Sequence, residues 1–195
     1  MTFHRVTAAE ADAAYEAWGC NCGPAAIAAI LGVPLDEVRP HLIGFDAKRY
    51  TNPTMMAGAL DTLGRPWRNV GKAWPRYGLA RIQWEGPWTK PGVPMRVRYR
   101  HTHWVGSWQT VERGHGVFDV NALGNGSGWA RFEHWRDVMV PYITSHIPRA
   151  DGLWHVTHGI EIEIEPGRVS TSATRPAAGS APEKPAGATN RAPAE

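Results

Sequence analysis

Cysteine is scarce in this chain: Cys20 and Cys22 are its only two, and Asn21 alone separates them. A disulfide across one intervening residue closes almost no loop and strains its own geometry, so the pair cannot staple a fold. Both are read as thiols in a reducing compartment. Long apolar runs are missing as well. No stretch reaches the roughly 18 residues of a membrane span, and "MTFHRVTAAEADAAYEAW" has no apolar core of the secretory type. The expectation is a cytoplasmic protein with no membrane partner. Excess charge is also small, at +3 over 195 residues. Arg168, Arg175, Lys184 and Arg191 outnumber Glu183 and Glu195 in the last segment, which leaves about +1 for the rest. That is no nucleic-acid footprint by itself.

Tryptophan is in excess, with ten residues. Most belong in a core, and some can line a groove for a flat or extended substrate. Apolar residues make up 43% and charged residues 20%, an ordinary globular composition on a chain long enough for one buried core. From Pro166 onward Ala, Pro, Gly, Ser and Thr dominate without an aromatic residue. Such a segment cannot bury enough apolar surface to offset its ordering entropy. Residues 1–165 are therefore expected to form one domain and 166–195 a disordered tail.

The domain divides into a helical half and a strand half. "TAAEADAAYEAW" runs in good helix formers up to Trp18, where Gly19 breaks it. "GPAAIAAILG" places Pro24 in a first turn and Gly32 at a stop, and its apolar surface on all sides predicts burial. "PLDEVRPHL" reads as a short helix, and "NPTMMAGALDTLG" as another, capped by Asn52 or Thr54. "GLARIQW", "PMRVRYRHTHWVGSWQTV", "HGVFDVNAL" and "LWHVTHGIEIEIE" are rich in β-branched and aromatic residues and read as strands. Helices followed by consecutive strands predict an α+β fold with an antiparallel sheet.

Three places carry candidate chemistry. Cys22 enters the helix that begins at Gly23, where unpaired N–H groups and the helix dipole favour an anion and can lower a thiol pKa. In "RYRHTHWVGSW", His101 and His103 would share one side of a strand, and an imidazole there can activate a thiol. In "VFDVNALG", Asp119 is costly to bury unless paired, and an imidazole N–H suits it; Asn121 can play the same part. Each has a plainer reading: a packing thiol, a core histidine, a turn-forming acid at a strand end.

Taken in chain order, these segments resemble the papain-like superfamily, and within it the bacteriocin-processing (double-glycine leader) peptidases. "NCGPAAIAAILG" is similar to the family's Cys-Gly-Pro/Ala-Ala helix, "HTHWV" to its His-aromatic-Val strand, and "FDVNA" to its Asp-containing strand end. "GWARFEHWRDVMVP" looks like the segment that packs an aromatic residue back on the sheet. The resemblance spans residues 12 to 142 and implies a papain-like α+β domain whose nucleophile helix packs on the sheet. It makes Cys22 the nucleophile, His103 the general base and acid, and Asp119 the residue that orients the imidazole. The implied activity is hydrolysis of a peptide or isopeptide bond through a thioester, or acyl transfer to an amine, without cofactor or metal. Where the family carries an oxyanion-hole Gln this chain has Glu16, so Asn21 or the indole of Trp104 would replace it, with Asn121 nearby. Gln83 and Gln109 have no warrant there. The chain also looks like stand-alone phage-encoded proteins, which would place it in a host cytoplasm.

Two other readings compete. Cys20, Cys22, His101 and His103 form a Cys₂His₂ set chemically suited to zinc. Alternatively, the domain is an inactive binding module for peptide or nucleic acid, with Arg96, Arg98 and Arg100 alternating along one strand face.

Overall fold

Thr7 opens the first helix with a capping box: its hydroxyl accepts from the Glu10 N–H, and the Glu10 carboxylate accepts from the Thr7 N–H. This helix, α1, runs from Ala8 to Trp18 and ends where Gly19 takes the left-handed conformation, at φ 73°. The second, α2 (Cys22–Leu31), ends the same way at Gly32. Short turns α3 (Leu35–Val38) and α4 (Phe45–Lys48) lead to α5 (Pro53–Thr62). Asn52, rather than Thr54, caps α5, its side-chain oxygen accepting from the Met55 N–H at 3.0 Å. These features come from the computed structural model, which describes residues 4–163. The expected tail at 166–195 lies outside the described residues.

The strands are β1 (Trp67–Gly71), β2 (Tyr77–Trp84), β3 (Thr102–Thr110), β4 (Gly114–Phe118), β5 (Trp129–Arg131) and β6 (Trp154–Ile162). Among the described residues they form one antiparallel sheet in the order β1-β6-β2-β3-β4-β5. The α+β expectation holds at this level. A short turn α6 (Met95–Arg98) precedes β3, and the helical pieces α7 (Phe132–His134) and α8 (Val140–Ser145) flank a wider π-type turn at Trp135–Met139. No described helix is long and apolar enough to cross a membrane.

Both faces of the sheet are covered. Leu79, Trp104, Phe118, Ile160 and Ile162 pack with α1, α2 and α5 on one side. Ala80, Ile82, Val105, Val117 and Val156 pack with Trp135 and Val140 on the other. A strand covered on both sides needs no polar alternation, and β2 is buried from Gly78 to Trp84. Eight of the ten α2 residues are buried, as its uniformly apolar surface predicts. Its docking on β3 is close because Gly106 lacks a side chain: a Cβ there would lie 3.0 Å from Ile30 Cγ1 and 3.1 Å from Phe118 Cβ.

The strand reading of "PMRVRYR" is corrected. Pro94 starts a helical turn, with the Val97 N–H donating to its carbonyl at 2.9 Å, and Arg98 Nε donates to the Val93 carbonyl. A proline-fixed φ favours such a turn at that position. Strand β3 begins only at Thr102, so Arg96, Arg98 and Arg100 do not line one strand face. The short strands β1 and β5 were not expected, since neither shows a long β-branched run. Replacing Gly106 with Val is expected to lower stability by about 1–3 kcal/mol by overpacking this contact. Urea unfolding reads the change, and an unaltered midpoint would refute the account of α2 docking.

Candidate active site

The β3/β4 ladder runs from Thr110 opposite Gly114 to Gly106 opposite Phe118 and stops there. His103 and Asp119 lie beyond the last pair, where the strands part. Asp119 does not continue β4; it accepts from the Asn121 N–H and caps a 3-10 turn over Val120–Asn125. His103 Nε2 meets Asp119 Oδ1 at 2.9 Å. A carboxylate only accepts, so Nε2 carries the proton and Nδ1 is left free. Trp135 Nε1 donates to the other oxygen of Asp119 at 2.8 Å, and Asn121 Nδ2 donates to Oδ1 at 3.0 Å. Trp84 stacks on the imidazole with ring centroids 5.9 Å apart. The ring is held on its face and at one nitrogen.

This environment sets the charges. Burial alone would raise the Asp119 pKa, but the His103 charge and the hydrogen bonds from His103, Trp135 and Asn121 hold it below its ordinary value. Burial would likewise lower His103, and the charge and hydrogen bond of Asp119 overcome it, with help from Cys20, to raise it. The two groups form a buried ion pair.

The thiols approach from α2. Both are half-buried and free. They share a hydrogen bond, so losing one proton is made easier and losing the second harder. Hydrogen bonding from the Cys22 thiol outweighs burial and, with the Cys22 N–H, the His103 charge and the Thr51 N–H, brings Cys20 down to about 7. Cys22 is pushed well above its ordinary value by that same bond, by burial and by the Cys20 charge, against a hydrogen bond from the Trp104 N–H. Gly23 is required here. A Cβ on it would lie 2.8 Å from Thr51 Cγ2 and 2.9 Å from Thr51 Cβ, closer than non-bonded carbons approach.

The candidate residues are distributed unevenly. Cys22, His103 and Asp119 gather at one end of the sheet, and Asn121 joins them as a partner of Asp119. Asn21 is committed elsewhere: Nδ2 donates to the Ala11 carbonyl at 2.8 Å. The Trp104 indole lies in the helix-side core with Nε1 directed at the Thr51 carbonyl, so its backbone N–H, not its ring, serves the site. Glu16 is exposed on α1, and the charges acting most on the thiols come from each other, His103 and Asp119. Pro24 has no N–H and Ala25 donates to the Asn21 carbonyl. The N–H groups left at the helix start are those of Cys22, which acts on the Cys20 thiol, and Gly23.

The zinc arrangement does not form. His101 precedes β3 and packs on Trp88 with ring centroids 4.2 Å apart, while His103 is held by Asp119. Among the described residues no group of three or more His, Cys, Asp or Glu is placed to hold a metal ion. Residues that sequence reasoning missed are Cys20, Thr51 and Trp135. Only Trp135 left a signal, as an aromatic in "FEHWRDV" after the acid. Comparison with protein-family models, with curated proteins and with solved structures finds no match.

The ion pair makes stability depend on pH with a determined sign. Asp119 has a lowered folded pKa, so its contribution is complete above the ordinary carboxylate value of 3.8 and is lost as pH falls through the folded value. His103 has a raised one, so its contribution is complete below 6.5 and is lost as pH rises through the folded value. Asp119→Asn removes the charge behind both effects. Its denaturation midpoint should vary less with pH than wild type on both the acid and neutral sides, and an equally steep profile would contradict the pairing.

Proposed function

We propose that this chain is a papain-like, cysteine-dependent enzyme that cleaves an amide bond through Cys22, His103 and Asp119. The observation that carries the reading is the buried His103–Asp119 pair with Nδ1 left free beside a thiol pair that ionises easily. In the reacting state the thiol pair has lost one proton and His103 is an imidazolium. Cys22 passes its proton to the Cys20 thiolate as its sulfur attacks the carbonyl carbon, forming a C–S bond and moving the π electrons to oxygen. The N–H groups of Cys22 and Gly23 receive that oxyanion. Nδ1–H protonates the leaving nitrogen, the C–N bond breaks and a thioester remains. Nδ1 then takes a proton from water, or from an amine acceptor, which attacks the thioester and frees the thiolate.

A second reading makes Cys20 the nucleophile, favoured by its lower pKa and by the His103 charge that acts on it. Intact mass after treatment with thiol-reactive acyl probes separates the two. Cys22→Ala should abolish labelling, a loss of about 10³-fold or more, while Cys20→Ala should keep labelling and move its acid limb upward from about 7. The opposite pattern transfers the role to Cys20. Labelling unaffected by either change, or by His103→Ala, would remove the enzyme reading and leave a binding module.

A further inference from the structure

Arg81 lies in the middle of β2 with 7% of its surface exposed, and no carboxylate meets it. Among the described residues no ion pair includes it, and its Nε has no hydrogen-bond partner. One terminal nitrogen donates to Thr102 Oγ1 at 3.2 Å, and the guanidinium sits 5.2 Å from the Tyr99 ring centroid. Both contacts are neutral. Burial lowers its pKa, and the only charges that oppose this come from Tyr99, Cys22 and Tyr50; a buried cation without a carboxylate partner costs several kcal/mol, which a ligand carboxylate would offset.

Its neighbours place it beside the reacting groups. Arg81 is opposite Trp104 on β3 and opposite His158 on β6. Trp104 is the residue whose N–H reaches the Cys22 sulfur. His158 has a buried Nδ1 without a partner, and it lines a groove of about 450 Å³ with Pro53, Thr54, Asn69 and the carboxylate of Asp61. Two residues before Pro53 is Thr51, which packs on Gly23 and has a buried, unpartnered Oγ1 of its own. Three hydrogen-bonding groups, on β2, on β6 and ahead of α5, are thus unsatisfied among the described residues.

We propose that Arg81 binds a substrate carboxylate, so that the site accepts amides carrying a free carboxylate close to the scissile carbonyl. A guanidinium suits this because its planar fork matches the two oxygens of a carboxylate. The substrate class rests on the thiol-enzyme reading, whereas the binding does not. The orphaned Nε supplies a donor that the fold itself leaves without an acceptor.

The test uses full-length Cys22→Ala protein, which cannot turn over, titrated with N-acetylglycine, N-acetylglycinamide and inorganic phosphate while the Arg81 Nε–H resonance is followed. N-acetylglycine should shift that resonance saturably, with no comparable shift from the amide or from phosphate. Arg81→Gln, followed by calorimetry, should weaken binding about tenfold or more, the loss of one charge-assisted contact, and Arg81→Lys should retain part of it. A near-ultraviolet circular dichroism spectrum unchanged from wild type shows that each variant is folded. Equal response to the amide or to phosphate, no saturable response, or undiminished binding by folded Arg81→Gln overturns the proposal. A thiol that labels while this titration fails would remove only the carboxylate subsite. An inert thiol with a successful titration would remove only the enzyme.

Discussion

A carboxylate with no exposed surface organises this end of the molecule. Asp119 is 0% exposed, and an isolated charge in that position would be neutralised or expelled. It is retained because four donors from three parts of the chain converge on it: the His103 ring, the Trp135 indole, and the backbone and side-chain amides of Asn121. Each donor imposes a structural requirement. His103 must come from a strand that has parted from its neighbour, Asn121 from a turn that begins at Asp119 itself, and Trp135 from a helical segment folded back over the sheet. The β4–β5 hairpin and the segment after it are arranged so that these conditions hold together.

The imidazole inherits its orientation from that carboxylate, and the thiols inherit their ionisation from a different device. The first turn of α2 lacks a side-chain cap, because the Asn21 amide is directed back to α1. The Cys22 N–H is instead among the groups that lower the pKa of the neighbouring Cys20 thiol. A thiolate is a good acceptor at a helix N-terminus, so capping and ionisation reinforce each other. The same geometry makes the two cysteines unequal in a way that their spacing does not show. Their mutual hydrogen bonding lowers the Cys20 thiol and raises the Cys22 thiol. Glu16, exposed on α1, is not among the groups that act most on either thiol.

Local chemistry was legible in the sequence and long-range pairing was not. The ends of α1 and α2 could be read from Gly19 and Gly32, and the burial of α2 from its apolar surface, because those signals act within a turn or two. The association of Cys22, His103 and Asp119 followed from a resemblance in order and spacing. The turn at Met95–Arg98 was misread because Arg-Val-Arg alternation suits a strand, and Pro94 overrides it by fixing the start of a helical turn. Trp135 and Thr51 could not be assigned, since their roles depend on where distant segments return. Cys20 was set aside for a related reason: the helix start was visible, but the sulfur capping it depends on the path of the chain before Asn21.

Arg81 and Gln83 show how a sheet covered on both faces exposes function through its exceptions. A strand of this kind has no solvent side on which to place polar residues, so each one in it must be satisfied internally. Gln83 largely is, with its amide nitrogen donating to the Trp84 and His101 carbonyls and only its oxygen unpaired. It also ties β2 to the chain just before His103, a structural role. Arg81 is two residues away, on the same face, and among the described residues no carboxylate pairs with it. Two polar groups in the same buried strand thus differ in whether the fold itself completes them. That difference separates a residue whose partners lie within the fold from one whose guanidinium the fold leaves incomplete.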